Sequence, residues 1–168
     1  MGEVSGMDFE TAVRFVLAHE GGYRHHRQDP GGETRFGISK RVARAHGYRL
    51  PMRVLSQAEA VRIYRQGYWR ACRCDDLPDH PLRLILFDAA VHSGVGQAVK
   101  WLQAALGVKV DGQLGPITLG AVAAAPLDTL AVALIDRRET FLRALRTWPT
   151  FGRGWAQRLA DLRAILAG

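Results

Sequence analysis

The chain has 168 residues, enough for one compact domain with a real core, and its 48% hydrophobic and 23% charged residues exclude a disordered or fibrous protein. No run of 18 apolar residues occurs, since the most apolar stretch, 119–135, is broken by Pro126 and Asp128, so no stable membrane insertion is expected. Lys and Arg outnumber Asp and Glu by 23 to 16, a net charge of +7 that points to a polyanionic partner such as nucleic acid or a bacterial envelope.

The first predicted element follows Asp8, a helix cap, after which Phe9, Val13, Val16 and Leu17 recur at helical spacing until Gly21-Gly22 stops the run. Glu20 therefore closes a helix. A carboxylate there meets the negative end of the macrodipole, which favours an acid that keeps its proton and can donate it.

A loop or hairpin follows over 24–36, built around the turn residues Asp29-Pro30-Gly31-Gly32. It returns Asp29 and Thr34 toward the helix end that carries Glu20. Inverting cleavage of a glycosidic bond needs an acid at the leaving oxygen and a base that holds water on the opposite face, so Glu20 as acid, with Asp29 and Thr34 positioning water, has the required residue types. Glu33 is a rival base. Gly31 and Gly32 let a sugar approach the backbone, and Tyr23 either stacks on that sugar or packs the loop.

Helical patterns resume over 39–46, 56–68, 81–91, 96–106, 116–124, 127–145 and 154–166, with Pro116, Pro126 and Pro149 marking boundaries. The fold class is mainly α with a small β element near the glycine loop. Tyr68 and Trp69 either line a cleft or anchor the core. Cys72 and Cys74 are two apart, lack the four-ligand spacing of a zinc site and read as free thiols, so neither metal nor cofactor is expected. The arginines are scattered without a nucleic-acid-binding motif, and nucleic acid is not expected as partner.

"HEGGY" at 19–23 with "DPGGETRFGIS" at 29–39 resembles the signature of glycoside hydrolase family 108, the lysozyme-like muramidases of phage lysis cassettes and bacterial secretion-activator proteins. "YRQGYWRACRCDDLP" (64–78) and "LFDAAVHSG" (86–94) resemble further family blocks, and "WLQAALGVKVDGQLGPITLGAV" (101–122) resembles the family's peptidoglycan-binding segment. The resemblance implies a lysozyme-like fold and hydrolysis of the β-1,4 bond between N-acetylmuramic acid and N-acetylglucosamine, with the motif glutamate on Glu20. The order Glu, Asp, Thr also resembles the triad of phage-type lysozymes. One departure is His92, where the family block implies asparagine, so any role at position 92 is carried by a different side chain.

The expected organisation is a single domain over 1–168, with a muramidase part at 8–92 and a peptidoglycan-binding-like part at 93–168 integrated in the same fold. Peptidoglycan strands are the expected partner and a monomer the expected state. The first twenty residues lack the continuous apolar stretch of a signal peptide, so synthesis in the cytoplasm and release by a holin or another export system are expected. A lytic transglycosylase, which needs only the glutamate, and a noncatalytic wall-binding protein are the alternatives.

Overall fold

The computed structural model describes residues 6–25 and 32–168. Among these are eight α-helices and a small sheet placed after the first helix, the mainly α lysozyme-like architecture the sequence implies.

Helix α1 (Phe9–His19) starts where Asp8 accepts a hydrogen bond from the Thr11 backbone N–H, and Glu20 is its C-cap in extended conformation. The chain then forms strand β1 (Arg24–His25), which pairs antiparallel with β2 (Glu33–Arg35) through Arg24 opposite Thr34 and His25 opposite Glu33. A third strand, β3 (Ile38–Ser39), pairs with β2 and was not predicted. It is invisible in sequence because it is two residues long, and its turn is made by Phe36 and Gly37, both at positive φ (51° and 72°). Phe36 is an unusual residue for that region. Tyr64, buried, donates its hydroxyl to the Phe36 carbonyl, and the Phe36 N–H donates to the Gly21 carbonyl at 3.0 Å. The turn is thereby fixed on both sides, under the end of α1.

Two short helices follow, each opened by a serine hydroxyl: Ser39 caps α2 (Lys40–Ala45) and Ser56 caps α3 (Gln57–Tyr64). Helix α3 runs on into a π-helical turn, Arg65–Trp69. Helix α4 (Leu82–Ser93) is buried almost all round and runs through the core, contacting α1, α5 and α7. Helices α5 (Val95–Leu106) and α6 (Pro116–Ala124) keep the predicted ends to within one residue. Helix α7 (Leu127–Arg143) packs against α8 (Trp148–Ala167). The last helix begins six residues before the predicted start, because Pro149 lies in its first turn, where a missing N–H costs nothing.

One core cluster extends from Phe9 on α1 to Leu162 on α8. Trp69, for which the sequence left cleft and core open and which was a candidate sugar contact, belongs to it: the side chain has no exposed surface, stands edge-on to Phe9 and Phe87, and donates its indole N–H to Asp75 at 2.9 Å. It cannot touch a sugar. Cys72 and Cys74 are free and buried, as expected. No single helix among the described residues is long and apolar enough to cross a membrane.

The segment between α5 and α6 is held by one buried amide. Gln103 offers its oxygen to the N–H groups of Asp111 (3.0 Å) and Gly112 (2.8 Å), while its amide nitrogen faces the Asp111 carboxylate, the Gln113 carbonyl and the Thr118 hydroxyl. The Asp111 and Gly112 N–H groups lose this acceptor if the amide is removed. Gln103→Ala should therefore destabilise the protein by about 2–3 kcal/mol, read as a lower urea midpoint at unchanged slope. A loss below about 0.5 kcal/mol would show that water replaces the amide freely.

Candidate active site

Glu20 is held at the end of α1 by a chain of charges that reaches into the core. Asp88, the only charged residue inside the apolar run of α4, is completely buried. Its Oδ1 accepts from Arg158 Nε (2.9 Å) and Nη2 (2.7 Å), and its Oδ2 accepts from Arg138 Nη1 (2.6 Å). Arg158 then uses its remaining amino group, Nη1, to donate to Glu20 Oε1 at 2.8 Å. Asp88 and the two guanidiniums are almost wholly out of water, and each is paired and hydrogen-bonded, as the burial of charge demands. Burial by itself would push the Asp88 carboxyl up, but the Arg158 and Arg138 charges outweigh it and hold the group at about 2.

The fourth face of this cluster is His92, near the end of α4. Arg138 Nη2 donates to its Nδ1 at 3.0 Å, which requires a neutral imidazole with the proton on Nε2. Burial, then the charges of Arg138 and Arg158, push the imidazole down to about 3 against a weaker opposing pull from Asp88. The asparagine implied at this position would offer the same kind of acceptor through its amide oxygen, so the histidine preserves the bond and adds a titratable ring.

Glu20 is 15% exposed and opens onto a cleft of about 420 Å³, lined among others by Arg24, His92, Phe151, Trp155 and Arg158. The floor beneath it is Gly37. A Cβ there would overlap the Glu20 carboxyl group, so the β2–β3 turn supports the acid only because that position is bare. His19 anchors the same helix end: its Nδ1 lies 2.9 Å from the Phe15 carbonyl and its Nε2 lies 2.8 Å from the Asp161 carboxylate on α8. The macrodipole argument placed Glu20 at an end hostile to anions; the structure sets the Arg158 cation directly against that tendency.

The other predicted residues are distributed unevenly. Thr34 sits on the central strand, between Arg24 and Ser39. Glu33, the rival base, is its neighbour on β2 and so faces the other side of the sheet, with Lys40 Nζ 4.0 Å away. Gly32 enters β2 with φ 64°. Tyr23 is 41% exposed and is not among the residues lining the cleft. Tyr68 lines a separate hollow of about 310 Å³ with Arg41, His46 and Gly94; burial and then the Glu20 charge raise its hydroxyl above the ordinary range, against the pull of Arg41. Asp29 and Gly31 lie outside the described residues.

Sequence reasoning missed Asp88, Arg138, Arg158, Phe151 and Trp155. Asp88 left a signal, a lone charge within LILFDAAV, since a carboxylate in so apolar a helical run demands buried cations. Its partners left none, being two among 23 basic residues at distances of 50 and 70 along the chain.

The neutral, buried state of His92 has a measurable cost. Above about pH 6.5 the imidazole is neutral in both folded and unfolded chains and contributes no pH dependence. As the pH falls below that value the unfolded chain binds a proton and the folded one, at about 3, does not, so stability declines. Between pH 7 and 5 the loss should be about 2 kcal/mol larger in the wild type than in His92→Asn, measured by urea denaturation at each pH. Parallel stability profiles would contradict a buried neutral ring.

Residues 13–94 match the family model described as glycosyl hydrolase 108, and residues 97–160 match one described as a predicted peptidoglycan domain. Among solved structures, the chain is similar to SagA of Brucella abortus, with 37% sequence identity and a TM-score of 0.85 over 95% of this chain and 93% of that one. A search of curated proteins finds no match. A helix-end glutamate opening on a cleft, set in a chain so matched from end to end, accords with these likenesses: the protein belongs to the glycosyl hydrolase 108 family and is a glycoside hydrolase whose C-terminal part is of the predicted peptidoglycan domain type.

Proposed function

We propose that the protein hydrolyses the β-1,4 bond between N-acetylmuramic acid and N-acetylglucosamine in peptidoglycan, with Glu20 as general acid. The observation that carries this reading is the placement of Glu20: a carboxyl group fixed on one oxygen by Arg158, resting on a bare glycine, and open to a cleft wide enough for a sugar ring. One oxygen is occupied by the cation, which leaves the other to deliver a proton.

In this reaction the bond from C1 of the muramic acid to the O4 of the next sugar breaks. Glu20 gives its proton to that oxygen, the water oxygen bonds to C1, and the water's proton passes to a base. Asp29 is the proposed base and Thr34 the residue that helps position the water. Thr34 is supported by its place in the centre of the sheet that carries Gly37 beneath Glu20. Glu33 is disfavoured as base by its opposite facing on β2 and its nearness to Lys40.

We read the chain as one integrated unit rather than an enzyme with a separable wall-binding module. Support comes from Arg158, which lies within the predicted peptidoglycan domain yet binds both Asp88 and Glu20. The substrate lies outside the cytoplasm, so we also propose that a holin or another export route delivers the enzyme, in bacterial lysis or wall remodelling.

Glu20→Gln keeps an oxygen for Arg158 to donate to and removes only the transferable proton. Turbidity clearance of purified Gram-negative sacculi should fall by about 100-fold or more at unchanged circular dichroism, and clearance at the wild-type rate would sink the assignment. Mass spectrometry of the products tests the role of water: reducing muramic acid ends are expected, and 1,6-anhydro ends would make the enzyme a lytic transglycosylase. Asp29→Asn should cost far more activity than Glu33→Gln, and the reverse order would move the base to Glu33.

A further inference from the structure

Helix α8 places Phe151, Gly154 and Trp155 in the cleft wall. Phe151 is 47% exposed beside Glu20's cleft, although a large aromatic side chain is ordinarily covered. It stacks on Trp155, with ring centroids 5.7 Å apart and planes 29° from parallel. Trp155 is held in turn by His92, edge-on at 5.4 Å, and by Trp148, tilted at 6.1 Å. The pair is a rigid step, supported from behind by the same histidine that binds Arg138.

Gly154 lies between them on the helix and also lines the cleft. A glycine inside a helix weakens it relative to alanine. Gly152, two residues earlier, has a packing reason: a Cβ there would collide with the Trp148 indole. Gly154 has none, since a Cβ built on it meets no atom within 4 Å. The helix thus gives up stability at a cleft-lining position where a side chain would enter open space.

We propose that Phe151, Gly154 and Trp155 form a sugar-binding subsite, in which the C–H face of an N-acetylhexosamine ring lies on the aromatic step and passes close over Gly154 toward Glu20. A pyranose presents an apolar face of C–H groups, which a flat aromatic surface covers well, and polar edges, which Arg24, also lining the cleft, can meet. The C-terminal segment therefore binds peptidoglycan as part of the active-site cleft. This rests on the hydrolase reading above, but its test does not require turnover.

The experiment uses the full chain carrying Glu20→Gln, with a purified tetrasaccharide of alternating N-acetylglucosamine and N-acetylmuramic acid as probe, binding followed by calorimetry and folding by thermal melting. Phe151→Ala and Trp155→Ala should each weaken binding roughly tenfold, and Trp155→Phe should recover most of it. Gly154→Ala is the decisive variant: it should raise Tm, because nothing crowds the new methyl, while weakening binding roughly fivefold. Gly152→Ala should lower Tm. Wild-type affinity in both Gly154→Ala and Phe151→Ala would overturn the subsite. If the platform variants weaken binding while the protein with Glu20 intact fails to cleave sacculi, the subsite stands and the hydrolase reading falls.

Discussion

Asp88 sits at the crossing of the core and the active site, and the rest of the site depends on the bonds it accepts. Its carboxylate is out of water and is held by two arginines, one from α7 and one from α8. An arrangement of this kind is no simple source of stability, because desolvating the ions costs about as much as their attraction returns. What it supplies is position. Arg158 is gripped by two of its nitrogens on Asp88, so its third can point in one direction only, and that direction is Glu20. Lysine, with a single ammonium, could not divide itself between the two carboxylates in this way.

The cluster also explains why the two matched segments belong to one site. Glu20, Asp88 and His92 come from the glycosyl hydrolase part, whereas Arg138, Arg158, Phe151 and Trp155 come from the part matched as a predicted peptidoglycan domain. Glu20 of the first part is held by a guanidinium from the second, and both parts line the cleft. Removing the C-terminal segment would leave Asp88 as an uncompensated charge inside the core, which is among the costliest defects a fold can carry.

What the sequence disclosed and what it hid follow from the range of the interactions. Local rules sufficed for Asp8 as a cap, for Gly21-Gly22 as a helix stop, and for the ends of α5 and α6. The motif likeness singled out Glu20 as the proposed acid, because the helix end and its turn lie within a few residues. The third strand escaped notice since two residues carry no periodicity. Trp69 could have served core or cleft by residue type, and only the packing of Phe9 and Phe87 around it decides for the core. The arginine partners of Asp88 and the aromatic step on α8 are long-range features: they meet Glu20 through the packing of α4, α7 and α8, which no local pattern encodes.

The central claim is that Arg158, fixed by Asp88, sets the position of Glu20 through a forked guanidinium. The most direct measurement is kcat/KM of Arg158→Lys on a soluble peptidoglycan oligosaccharide, at matched folded fraction. Lysine preserves the positive charge and much of the length but cannot bind Asp88 and Glu20 together. The account predicts a fall of about tenfold or more, mostly in kcat, because the acid loses its geometry while the sugar platform is untouched. Wild-type kcat/KM in the folded Arg158→Lys protein would show that any positive charge suffices and that the fork from Asp88 to Glu20 does not position the acid.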